Sequence, residues 1–162
     1  MLEVEVLGAR RIASGKPSLP EVRRLARAAA AAAGVGDGHV AIEFVDAPRI
    51  AKLNREHRAQ STPTDVLSFP IDGVEPRAQR PPGEAPAPAA GPPAQAPPRE
   101  LGDVVICPEH TADLREAIVH GMLHLLGMDH ESDSGEMLAL QRLLLAPGRP
   151  ARARPGSAGG RR

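Results

Sequence analysis

Three of the six histidines in this 162-residue chain fall within one short stretch, His120-Gly121-Met122-Leu123-His124-Leu125-Leu126-Gly127-Met128-Asp129-His130. His120 and His124 are four residues apart. On a helix they sit one above the other, with Cβ atoms roughly 5–6 Å apart. Two imidazole nitrogens so placed can each reach one ion at about 2.0–2.1 Å. Gly127 can take a positive φ, stop the helix and turn the chain, so that His130 arrives from the turn as a third ligand. Three protein ligands on a tetrahedral ion leave one position open, the arrangement of a catalytic site rather than a closed structural one. Three neutral imidazoles also leave the charge of a divalent ion uncompensated. Such a site draws phosphate and can lower the pKa of bound water to about 7. The spacing does not identify the metal, since three imidazoles suit zinc and also nickel, copper or iron.

The spacing matches the metzincin peptidase pattern with one difference. Those enzymes carry a glutamate directly after the first histidine, as general base; here that position is Gly121. A glycine cannot take a proton, so the metal geometry is kept and the peptide chemistry is not. Asp129 has two readings: it orients a ligand histidine through the second ring nitrogen, or it caps the turn. His57 falls on the apolar side of its helix and reads as a partly buried packing residue; His39 and His110 read as solvated or capping. Cys107 reads as a small core residue.

The elements that must position these groups alternate along the chain. Leu2, Val4 and Val6 against Glu3 and Glu5 make a strand with one wet face. Residues 19–33 read as a helix with the apolar stripe Val22, Leu25, Ala29 and Ala33, stopped by Gly34. Val40 to Val45 is a second strand. Asp46 caps a helix that buries Ile50 and Leu53 and ends near Arg58. Val66 to Phe69 is a third strand, and Val104 to Cys107 a fourth, apolar on both faces and so expected to be central. A helix is expected from about Thr111 to Leu126. A last one starts near Asp133, with Glu136 placed for a capping-box contact and Met137, Leu140 and Leu144 packed inward. The fold class is α+β: a single small domain, a mixed sheet of mostly four strands packed with helices, and the metal site at the end of a helix.

Composition bounds the rest. Lys+Arg 20 balances Asp+Glu 20, so a nucleic-acid partner needs a local basic face rather than bulk charge. Arg23, Arg24 and Arg27 on one helix, and Arg49, Lys52, Arg55 and Arg58 along the next, are the candidates; a solvated helix face is the plain explanation of both runs. Two phenylalanines with no Trp or Tyr argue against a stacking platform for bases. One cysteine excludes an internal disulfide and a thiolate zinc cluster. The start of the chain has no signal-peptide pattern and no run of apolar residues is long enough for a membrane span, so the expected location is the cytoplasm. Nine of the 18 prolines fall in residues 74–99. The domain expected is therefore residues 1–146 with a Pro-rich surface insertion at 74–99, followed by a flexible Arg-rich tail at 147–162.

Four blocks together resemble one family. His120 to His130 is similar to the signature H-G-x-L-H-L-x-G-x-D-H of the YbeY family, bacterial endoribonucleases of ribosomal RNA maturation. Leu53-Asn54-Arg55-Glu56-His57-Arg58, Pro63-Thr64-Asp65-Val66-Leu67-Ser68-Phe69-Pro70 and Leu101-Gly102-Asp103-Val104-Val105-Ile106-Cys107 resemble its other blocks, in the family's order. His57 stands where the family has an aromatic residue. The resemblance implies a zinc site on His120, His124 and His130, and a catalytic arginine at Arg58 that would hold a phosphate oxygen. It implies cleavage of single-stranded RNA in 16S rRNA 3′-end maturation and small-subunit quality control. The partners would then be ribosomal RNA and the small subunit, with no membrane and no DNA specificity. Water and the RNA 2′-OH both remain possible nucleophiles. Two other classes stay open: a ribosome assembly factor with a mainly structural metal, and a metal hydrolase of another substrate class.

Overall fold

In the computed structural model, residues 1–58, 64–72 and 98–147 are described. Nearly all of the expected insertion at 74–99, and all of the expected tail beyond residue 147, lie outside the described residues. The alternation at the start forms β1 (Leu2–Leu7), with Leu2 and Val4 buried and Glu3 and Glu5 exposed. Helix α1 (Leu19–Ala32) carries Pro20 in its first turn and buries Val22, Leu25, Ala26, Ala29 and Ala30. Strand β2 (Gly38–Phe44) pairs parallel with β1 and sends Val40, Ile42 and Phe44 into the same core. Asp46 Oδ1 accepts the Arg49 amide at 3.0 Å at the start of α2 (Ala47–Arg58), as its position before the helix requires.

Strands β3 (Val66–Pro70) and β4 (Glu100–Ile106) complete a four-stranded mixed sheet of order β1-β2-β4-β3. β4 runs parallel to β2 and antiparallel to β3. It is central and buried on both faces. Val104 and Ile106 join the core under α1, α3 (Leu114–Leu125) and α4 (Glu136–Leu145); Val105 and Cys107 join a second cluster with Leu67, Phe69, Ile50 and Leu53 of α2. The sheet thus has three helices on one face and α2 on the other, in an α+β domain. No helix among the described residues is long and apolar enough to cross a membrane.

Several boundaries differ from the expectation. β4 begins at Glu100, four residues before its apolar run, because it has partners on both sides there: His39 of β2 opposes Glu100, and the Ile71 and Asp72 amides bond the Leu101 and Glu100 carbonyls. α3 begins at Leu114 rather than near Thr111. The Thr111 hydroxyl bonds back to the Cys107 carbonyl at 2.7 Å, and Asp113 is the residue that caps the helix, accepting the Arg115 amide at 2.9 Å. The last helix likewise starts at Glu136; Asp133 reaches past the turn to accept the Met137 amide at 2.8 Å, while Glu136 accepts the Ser134 amide.

His39 is not simply solvated. Its Nδ1 lies 2.9 Å from Glu100 and its Nε2 3.6 Å from Glu5, across β4 and β1. The bond to Glu100, then the charges of Glu100, Glu3 and Glu5, raise its pKa against a smaller opposing effect of burial. A raised folded-state pKa stabilises the fold below the ordinary histidine value, and that contribution is lost as pH rises through the folded value. Replacing His39→Gln should cost about 0.5–1 kcal/mol at mildly acidic pH and nothing at alkaline pH, read as urea midpoints across the range.

Candidate metal centre

α3 carries the first two histidines, and its contact with the sheet sets where they stand. A Cβ built on Gly121 would lie 2.5 Å from Val104 Cγ1 and 2.8 Å from Val66 Cγ2. Position 121 therefore faces β3 and β4, and only a glycine lets the helix approach this closely. The Ser68 hydroxyl donates to the Gly121 carbonyl at 2.7 Å and ties β3 to the helix at the same level. A glutamate here would point into packed valines. The absent peptidase base is thus a matter of packing as well as of residue type.

Gly127 closes the helix as its spacing predicts. It has φ +89°; its amide bonds the His124 carbonyl and the Met128 amide bonds the Leu123 carbonyl, both at 3.0 Å. The reversal brings His130 back. One ligand atom from each of His120, His124 and His130 lies within 4.8 Å of the others, and all three residues are half-buried. The ring centroids are 4.7–5.3 Å apart. His120 Nε2 and His124 Nε2 are 3.1 Å apart. Two nitrogens bound to one tetrahedral ion at about 2.0–2.1 Å would stand about 3.3–3.4 Å apart. The donor set and its spacing fit a divalent ion. Burial, then the charges of His120 and His130, lower the pKa of His124, partly offset by a backbone hydrogen bond with Met128. That shift favours the neutral form a metal needs.

Of Asp129's two readings, the structure supports the turn. Its Oδ1 accepts the Glu131 amide at 3.0 Å, and its carbonyl accepts the Ser132 hydroxyl. The Glu131 amide, above all, holds its carboxyl below the usual range, helped by the Ser132 hydroxyl and the nearby His124 and His130. The side chain bonded to a candidate ligand is one the sequence did not single out: Gln141 Oε1 lies 2.8 Å from His120 Nδ1, and Gln141 Nε2 donates to Glu116 at 3.2 Å. Gln141 is buried on α4, four residues after Met137. A polar residue on an otherwise apolar stripe was the available signal.

The remaining candidates lie on α2, across the sheet. Arg49, Lys52, Arg55 and Arg58 are all exposed, and Lys52 pairs with Glu56 at 3.8 Å. No described contact joins Arg58 to the histidines. His57 is exposed rather than partly buried, yet its ring stands edge-on to Phe69 with centroids 4.8 Å apart. Phe69 is next to Ser68, which holds Gly121. The end of α2 and the histidine helix thus meet adjacent residues of edge strand β3 from opposite faces. On α1, Arg23 and Arg27 donate through Nε to the Val4 and Leu2 carbonyls at 3.3 and 3.1 Å. They cover the outer edge of β1, so these two are tied to the sheet rather than lying on a simply solvated helix face.

The family model described as Endoribonuclease YbeY matches residues 18–147. The chain belongs to the YbeY family. Endoribonuclease YbeY of Corynebacterium glutamicum is 40% identical over 124 residues, covering 68% of this chain and 58% of that protein. The chain thus spans less than two thirds of that relative. Endoribonuclease YbeY of Micrococcus luteus is 41% identical over 129 residues, 70% of this chain and 73% of that one. That of Alkalilimnicola ehrlichii is 37% identical over 161 residues, 90% and 85%. Among solved structures, a Thermotoga maritima protein is 25% identical, with a TM-score of 0.47, over 87% of this chain and 85% of that one. The stretch matched to the YbeY model includes His120, His124, His130, Gly121 and Gln141.

The packing at Gly121 makes a direct prediction. Gly121→Ala should destabilise the protein by about 1–3 kcal/mol through overpacking against Val104 and Val66. Gly121→Glu should leave no folded protein rather than create a peptidase. Denaturant titration of both variants checks this.

Proposed function

We propose that the protein is a metal-dependent endoribonuclease that cleaves single-stranded RNA in 16S rRNA 3′-end maturation and small-subunit quality control, in the cytoplasm, with zinc as its ion. The observation that carries the reading is the meeting of three imidazoles within 4.8 Å in a chain of the YbeY family. A divalent ion held there supplies Lewis acidity toward a phosphoryl oxygen and makes water more acidic. His120, His124 and His130 would hold it without neutralising its charge, which suits an anionic phosphodiester.

Arg58 would bind a non-bridging phosphate oxygen and stabilise charge that builds on phosphorus. Its place supports this role. It follows His57, which packs on Phe69, and only the edge strand separates that level from the histidine helix. Arg49, Lys52 and Arg55 would hold the RNA backbone as it approaches. Gly121 weighs against peptide or amide substrates, since the position that would carry a base is turned into the sheet.

The test measures zinc content and RNA cleavage together. His124→Ala should lose both. Arg58→Ala should keep zinc and lose cleavage by about a hundredfold or more, the scale of removing one charge-stabilising donor. Wild type that holds zinc but cuts no RNA, while supporting subunit maturation, would favour an assembly factor instead. Products ending in 2′,3′-cyclic phosphate would assign the nucleophile to the RNA 2′-OH. Binding should also weaken with added salt, with a shallower slope when Arg49, Lys52 and Arg55 are neutralised.

A further inference from the structure

Gln141 is one of the two buried polar or charged residues among the described part of the chain, with 6% of its surface exposed. Leaving its amide unpaired there would cost more than any apolar substitute at that place. Both ends of the amide are used. Nε2 reaches Glu116 Oε1 at 3.2 Å, and Oε1 lies against His120 Nδ1 at 2.8 Å.

The direction of this chain of bonds follows from its outer end. Glu116 is exposed, and a carboxylate only accepts. The amide nitrogen must therefore face Glu116, which turns the amide oxygen toward His120. An oxygen at Nδ1 requires a proton on Nδ1. In a neutral imidazole the other nitrogen is then a bare lone pair, and that nitrogen is Nε2, the atom 3.1 Å from His124 Nε2. Were the amide reversed, its oxygen would face the carboxylate, and His120 would carry its proton on the atom that must bind the ion.

We propose that Gln141, set in direction by Glu116, is a positioning residue for the metal. It fixes the His120 tautomer and ring orientation so that Nε2 is ready as a ligand before any ion arrives. The pair comes from two helices: Glu116 from the first turn of α3, and Gln141 from the inner face of α4. Packing α4 against α3 is therefore part of building the centre, although α4 contributes no ligand. The inference rests on the reading that the three imidazoles hold a metal, but its first readout needs none.

The experiment uses the full chain with ring-15N-labelled histidine. In the metal-free protein at mildly alkaline pH, His120 should show the Nδ1–H tautomer alone. Gln141→Met keeps the length and apolar packing and should admit the Nε2–H form. Zinc affinity, read by chelator competition, should fall about ten- to a hundredfold, as for other partners that orient ligands. Gln141→Glu keeps an acceptor at Nδ1 and should retain the tautomer, even if facing Glu116 lowers its melting temperature. Glu116→Gln lies at the surface and decides the matter if Gln141→Met does not fold: a mixture of tautomers supports the proposal. A single unchanged tautomer in Glu116→Gln, or wild-type tautomer and zinc affinity in a folded Gln141→Met, overturns it. Wild type without zinc affinity would instead overturn the metal reading, and the tautomer data would still decide the role of Gln141.

Discussion

Where α3 meets the sheet at Gly121, no side chain stands between the helix and the strands. Val104 and Val66 fill the space a Cβ would need, and Ser68 holds the helix carbonyl. The depth of α3 in the domain follows from that contact. So does the position of His120 and His124, one residue before and three after. Metal geometry tolerates displacements of about 0.5 Å before function suffers. A methyl group inserted at 121 asks for more, unless the valines give way. The turn at Gly127 and the amide of Gln141 can serve His130 and His120 only if α3 stays at this depth.

The electrostatics follow from what does not touch the imidazoles. A carboxylate bonded directly to a ligand histidine makes that ring a stronger donor and softens the ion's charge. Here Glu116 is held off by one amide. The ring receives the orientation that such a carboxylate would provide, without a full negative charge against it. Asp129, the acid nearest in sequence, has Oδ1 on the Glu131 amide, and its charge acts on His124 and His130 only through space. With three neutral ligands, a bound divalent ion keeps most of its charge for whatever takes the open position, and a phosphodiester is a suitable occupant.

Much of this was legible from spacing. The period of two in β1, the apolar run in β4, the cap at Asp46 and the stop at Gly127 each express a local rule, and each holds. The three histidines were legible because a helix, a glycine and a turn have known geometry. What spacing could not show is contact between distant segments. Gln141 and Glu116 are 25 residues apart and meet only because α4 packs on α3. The start of β4 is not visible in its residue types, because its ladder partners, not its side chains, hold Glu100 in the strand. His57 reads as partly buried from its place on the apolar side of α2, yet it is exposed because α2 covers the sheet with Ile50 and Leu53 and leaves its last turn to lean on Phe69.

A chain with no net charge must place its cations deliberately to meet a polyanion. On α1 two of the arginines are spent on the β1 edge, where their Nε groups meet carbonyls that would otherwise invite another strand. Among the described residues, no bond ties the cations of α2 to the sheet edge. Only Lys52 has a described ion pair among Arg49, Lys52, Arg55 and Arg58, and all four face water. They lie on one face of the sheet and the histidines on the other, joined around β3. A nucleic acid that engaged both would have to bend around that edge. A single strand bends there at little cost; a base-paired duplex is stiff over such a distance. That arrangement of layers would suit unpaired RNA in the proposed activity, with the histidine cluster and the basic helix on two sides of one edge.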